Sequence, residues 1–138
     1  LKNLLTAIFG KTSGSALSSD VGGRIFFDEY GDDPPIIYPY VVFQIIDGNP
    51  DNVFAKKGKD VLIQFSLFST SKGVTEITTM HNDLIALFDE CSMTITSNTL
   101  VLMAWQNLVP MVDEIMTPEG TSTVKHWAED FEVMTQES

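Results

Sequence analysis

The sequence predicts an α+β fold: a mainly antiparallel sheet of about five strands with helices packed on one face, in the order α-β-β-β-α-β-β. Three observations carry this expectation. In Asp60-Val-Leu-Ile-Gln-Phe-Ser-Leu-Phe-Ser69 the odd positions Val61, Ile63, Phe65 and Leu67 form an unbroken apolar face, because successive strand side chains point to opposite sides. From Val74 the apolar spacing becomes helical, through Ile77, Met80 or His81, Leu84, Ile85 and Phe88, and Ser69-Thr-Ser-Lys-Gly73 between the two breaks the strand. Other β-rich stretches lie on either side of this unit, and helices over one face of such a sheet make an α+β architecture.

Taken in order, Leu4, Leu5, Ile8 and Phe9 give residues 2–9 the apolar stripe of a first helix. Positions 10–23 are rich in Gly and Ser, with only Ala16, Leu17 and Val21 to pack, and read as a loop. Arg24–Glu29 is a short strand. Tyr30-Gly-Asp-Asp-Pro-Pro35 must turn, since proline can neither donate to a ladder nor continue a helix. Tyr40–Ile46 is apolar on both faces and reads as a central strand. The connector 48–59 has turn chemistry at both ends and carries three of the eight basic residues, so it reads as the exposed tip of a hairpin. Thr99–Val109 is a fourth strand, which Pro110 should end or bulge, and 113–123 is a second connector. Val124–Thr135 alternates, with Trp127, Phe131 and Val133 on one side. Glu129 interrupts that side, which suggests an outer strand.

A chain of 138 residues has the length of a single domain, 1–138. Nineteen acidic against eight basic residues give a net charge of −11. That balance argues against general affinity for nucleic acid or anionic membrane, where cations must replace counterions. The single cysteine, Cys91, excludes an internal disulfide and fits a reducing compartment. The longest uninterrupted apolar run, Leu100–Trp105, is far too short to cross a bilayer. Lys2 before a brief apolar run, with no small-x-small cleavage site, makes a poor export signal. A soluble chain made in the cytoplasm is expected.

Chemical motifs fail on spacing. Gly10-Lys11-Thr12 ends like a phosphate-binding loop, but Leu5 stands where that loop needs its first glycine. The cluster Asp28, Glu29, Asp32 and Asp33 misses the EF-hand pattern. His81 and His126 match no zinc spacing. Neither a Gly-x-Ser-x-Gly elbow nor a cysteine-protease signature is present. No catalytic, cofactor-binding or metal-binding residue is therefore nominated. The candidate contacts are Val53, Phe54, Lys56, Lys57 and Lys59: an aromatic ringed by lysines on an exposed loop suits a protein partner.

Several stretches together resemble a known family. They are the Leu4-Leu-Thr-Ala-Ile-Phe9 helix, Gly23-Arg-Ile-Phe26, Tyr38-Pro-Tyr-Val-Val42, the strand Val61–Ser69 with its helix, and Trp127-Ala-Glu-Asp-Phe-Glu-Val133. The chain resembles, over nearly its whole length, the tail-completion or tail-terminator (tail-to-head joining) proteins of long-tailed bacteriophages. The resemblance implies a ring, usually hexameric, that caps the tail tube, stops its polymerisation and meets the head connector at the head–tail interface of the virion. It implies no enzyme activity and no cofactor, with DNA passing through the ring without specific binding. An acidic surplus suits such a channel, because like charge prevents adhesion. The alternatives are a head-completion or neck protein of the same machinery, and a small acidic enzyme or ligand-binding domain, which needs a pocket of converging polar groups.

Overall fold

A computed structural model describes residues 2–53, 56–118 and 120–137. Its frame is a six-stranded sheet in the order β1-β2-β3-β6-β5-β4. The strands are β1 (Ile25–Phe27), β2 (Tyr40–Val53), β3 (Lys56–Ser69), β4 (Thr94–Ile95), β5 (Asn98–Thr117) and β6 (Gly120–Glu137). The helices are α1 (Lys2–Thr12), α2 (Ala16–Asp20) and α3 (Thr75–Phe88).

This corrects the expected fold class. The sheet is mixed, because β1 runs parallel to β2 while every other neighbouring pair is antiparallel. It has six strands rather than about five, it curls as a half-barrel, and strand far outweighs helix. Helices layered on one face of a five-stranded antiparallel sheet do not describe it. Two physical causes account for the difference. The turn chemistry at 48–59 and 113–123 does not make loops, since cross-strand pairing continues through both stretches to Val53↔Lys56 and Thr117↔Gly120. Pro50 in β2 and Pro110 in β5 are tolerated because each lies where its strand is an edge, so the missing N–H costs no ladder bond. Register shifts at Ile45/Asp47, Leu100/Leu102 and Trp105/Asn107 add local twist, which curls the sheet.

Two elements lie in stretches where the sequence announces none. In the Gly/Ser-rich segment, Ser15 caps α2 by accepting from the Ser18 amide at 3.1 Å. Gly22 and Gly23, at φ of 59° and 78°, then turn the chain into β1. Burial of Leu17 and Val21 holds this five-residue helix in place, as propensity alone would not. β4 is only two residues, paired to the start of β5.

The core lies between β3 and α3. Val61, Ile63, Phe65 and Leu67 are buried along one face of β3, and Ile77, Met80, Leu84 and Phe88 along one stripe of α3. Phe65 sits at the centre, its ring 5.1 Å from Phe88, 5.4 Å from Phe43 and 5.4 Å from Phe131. α1 adds Leu4 and Ile8, one turn apart. β6, expected at the outside, is central: it pairs with β3 from Gly58↔Gln136 to Ser69↔Lys125 and with β5 on its other side.

Where α2 meets α3, Asp20 faces Asp83. Burial, then the hydrogen bond and like charge of Asp83, push the Asp20 carboxyl up to about 6. A carboxyl raised in the folded state favours folding when protonated. That contribution is complete below about pH 4 and is lost as pH rises through about 6. Asp20→Asn should therefore melt above wild type at pH 7–8, by an amount that solvent screening of this half-exposed group keeps small, with the gap closing by pH 4. Melting curves across that range test it, and a pH-independent gap would refute the raised Asp20 carboxyl.

Candidate assembly surface

Register places two hairpins at opposite ends of the sheet. β3 and β6 are antiparallel, so the β2–β3 turn lies at the start of β3 and the β5–β6 turn at the other end, at the start of β6. The β2–β3 arm runs to Val53↔Lys56, past the last β3–β6 pair at Gly58↔Gln136. The β5–β6 arm runs on from Ser69↔Lys125 through Asp113↔Val124, Glu114↔Thr123, Ile115↔Ser122 and Met116↔Thr121 to Thr117↔Gly120.

Of the sequence-nominated contacts, Val53 pairs with Lys56, Asn52 with Lys57 and Pro50 with Lys59, so Val53, Lys56, Lys57 and Lys59 gather at the β2–β3 tip. Phe54 lies outside the described residues.

Sequence reasoning nominated no contact residue on the other arm. Val101, Trp105, Val109, Met111, Val112 and Met116 all expose large apolar side chains, Val112 at 68% and Met116 at 86%. All six belong to β5. β4 pairs with β5 only at Asn98 and Thr99. The Glu90 amide donates to the Met103 carbonyl at 2.7 Å, and Asp89 Oδ1 accepts from the Trp105 amide at 3.0 Å. Beyond Trp105, no strand among the described residues covers the outer side of β5. A long apolar edge strand is a template for association. The available signal was Val109, Met111 and Val112 straddling Pro110, with Met116 inside the predicted connector 113–123, which together carry apolar residues past the expected end of the strand.

The base of this arm is held by a buried polar knot. Glu129 on β6 is fully buried and its Oε1 sits 2.5 Å from His81 Nδ1 on α3, while accepting from Trp105 Nε1 on β5 at 3.2 Å. Burial pushes the Glu129 carboxyl up, opposed by the His81 charge and by hydrogen bonds from His81 and Trp105. The knot ties three elements and fixes the Trp105 ring beside the exposed apolar side chains of β5. Nearby, His126 stacks on Phe68 at 4.3 Å and lies 3.6 Å from Asp113. Burial lowers its pKa and Asp113 opposes that.

A cleft of about 410 Å³ between α1 and residues 92–96 has Lys11 as its one ionisable side chain, the rest of its lining being small, amide, hydroxyl or thioether groups. Burial raises the Cys91 thiol above its ordinary range, which keeps it from being a ready thiolate. Among the described residues, no three His, Cys, Asp or Glu side chains gather as a metal site.

No protein-family model and no curated protein matches the sequence. Solved structures do match in fold. A chain from the virion of a native gene transfer agent particle superposes with a TM-score of 0.75 at 11% identity, over 95% of this chain and 92% of that one. A second solved structure superposes with a TM-score of 0.59 at 13% identity, over 96% and 94% of the two chains. The fold is thus shared with a virion component over nearly the full length of both chains.

Proposed function

We propose that this chain is a non-enzymatic structural protein of a phage-like virion, acting as a tail terminator: a ring that caps the tail tube and joins it to the head connector. The observation that carries the reading is the pair of oppositely directed hairpins on a sheet whose fold recurs in a gene transfer agent virion. An assembly protein needs separate contact surfaces, for neighbouring copies as for partners, and opposite arms supply one at each end. The β2–β3 tip, with Val53, Phe54, Lys56, Lys57 and Lys59, is assigned as a contact for partner or neighbouring subunits. The exposed apolar side chains of β5, carried on both faces of the strand, offer a second. Action is by shape: the groups that could do chemistry, Glu129 and His81, bind each other and Trp105.

The test is add-back to tail tubes purified from particles lacking this chain. Wild-type protein should bind one tube end and yield tubes of uniform length by electron microscopy. A triple variant, Phe54→Ala with Lys56→Glu and Lys57→Glu, should stay folded but fail to dock. Label found on isolated heads instead of tubes would transfer the chain to head completion. Full capping by the triple variant would remove the β2–β3 tip from the contact.

A further inference from the structure

We propose that copies of this chain associate head to tail, the β5–β6 hairpin of one copy seating against the β2–β3 hairpin of the next. The inference rests on the assembly reading above and supplies the contact by which the copies meet.

Charge is the first support. Segment 105–123 contains Asp113, Glu114 and Glu119 and no Lys or Arg. Segment 48–59 contains Lys56, Lys57 and Lys59 against Asp51 alone. In a chain of net charge −11 most surfaces repel a second copy, and the lysine-bearing arm is where attraction is available. Two β5–β6 arms brought together would set acid against acid.

Topology is the second. The two arms leave the sheet at opposite ends, so a contact joining one to the other is heterologous and closes into a ring when the rotation between copies allows. Side-by-side extension of the sheet is a poorer fit. Ile45, Ile63, Phe131 and Trp105 lie in one row across it. β1 covers β2 only up to Phe43, so the free edge of β2 begins at about that row and runs toward the β2–β3 tip. The free edge of β5 runs from the same row the opposite way, so copies at one level share almost no free length. Displacing one copy along the strands brings tip to tip.

Exposure is the third. Val112 and Met116 project from the acidic arm at 68% and 86% exposure, beside Asp113 with 56% of its side chain exposed. Apolar contact supplies the binding surface, and the flanking charges select the partner and its orientation.

Two charge-reversed chains test the contact by sedimentation velocity at low salt. Asp113→Lys with Glu114→Lys makes both arms basic, and Lys56→Glu with Lys57→Glu makes both acidic. Wild type should form oligomers that dissociate as salt rises. Each reversed chain alone should stay monomeric, and an equimolar mixture should assemble again, because every acidic arm then meets a basic one. If reversal unfolds a chain, as its melting curve would reveal, the neutral pair Asp113→Asn with Glu114→Gln replaces it, and loss of the salt dependence is the readout. Wild type that stays monomeric up to about 1 mM, acidic-armed chains that associate alone, or a mixture that fails to assemble would each overturn the head-to-tail contact. Tube capping by wild type, scored separately, would survive any of these results and leave the terminator reading standing.

Discussion

Phe65→Ala is expected to be among the most damaging single substitutions in this chain, at a cost of about 3–5 kcal/mol. Phe65 is fully buried and contacts Phe43 from β2, Phe88 from α3 and Phe131 from β6, so its ring joins two neighbouring strands to the helix above them. Truncation loses the transfer free energy of the ring and leaves a cavity that three other rigid rings cannot collapse into. For a domain stable by roughly 5–15 kcal/mol, the melting temperature should fall by roughly 10–20 °C. Phe65→Leu keeps most of the volume and should fall much less. Urea unfolding with an unchanged m-value is the measurement. A loss below about 1 kcal/mol would mean that the four rings are not one cooperative core.

That centre was legible in the sequence because burial there follows simple periods. Val61, Ile63, Phe65 and Leu67 alternate with period two, and Ile77, Met80, Leu84 and Phe88 repeat at three and four. Each set is buried as its period requires. What was not legible depends on pairing rather than period. The direction of β1 is set by how residues 28–39 return the chain, and no local pattern in Ile25–Phe27 encodes a parallel neighbour. The hairpins themselves were legible, but the length of their paired arms was hidden because Gly48, Pro50 and Gly58, or Pro118 and Gly120, announce turns. Turn residues at the ends of a long edge hairpin look the same as turn residues in a loop. The same ambiguity concealed the exposed apolar side chains of β5, which become conspicuous only once no strand is found beside them. The lysines at 56, 57 and 59 could be nominated from sequence, but their position opposite an acidic arm needed the β3–β6 register.

Glu129 shows the hidden side of a pattern most clearly, and it carries the second large prediction. In sequence it breaks the apolar face of β6, which argued for an outer strand. In the fold it is central, because His81 and Trp105 reach it from α3 and β5. A buried carboxyl is admissible only with such partners. Glu129→Ala should cost about 2–4 kcal/mol, since it removes the acceptor for the Trp105 Nε1–H and the hydrogen-bond partner of His81 Nδ1, and opens a void beside Trp105. It should also change Trp105 fluorescence, by freeing the indole on β5. Glu129→Gln keeps the volume and one acceptor oxygen, and should cost less. The pH dependence has a definite sign. Because burial raises the folded carboxyl, wild type is favoured while Glu129 is protonated and loses that advantage as pH rises through the raised value. The glutamine variant, which does not titrate, should therefore gain on wild type with increasing pH. Melting of the two chains in parallel from pH 4 to pH 8 decides the point. A gap that widened in favour of wild type would mean that attraction to His81 outweighs burial, and that the knot is an ion pair rather than a shared-proton hydrogen bond.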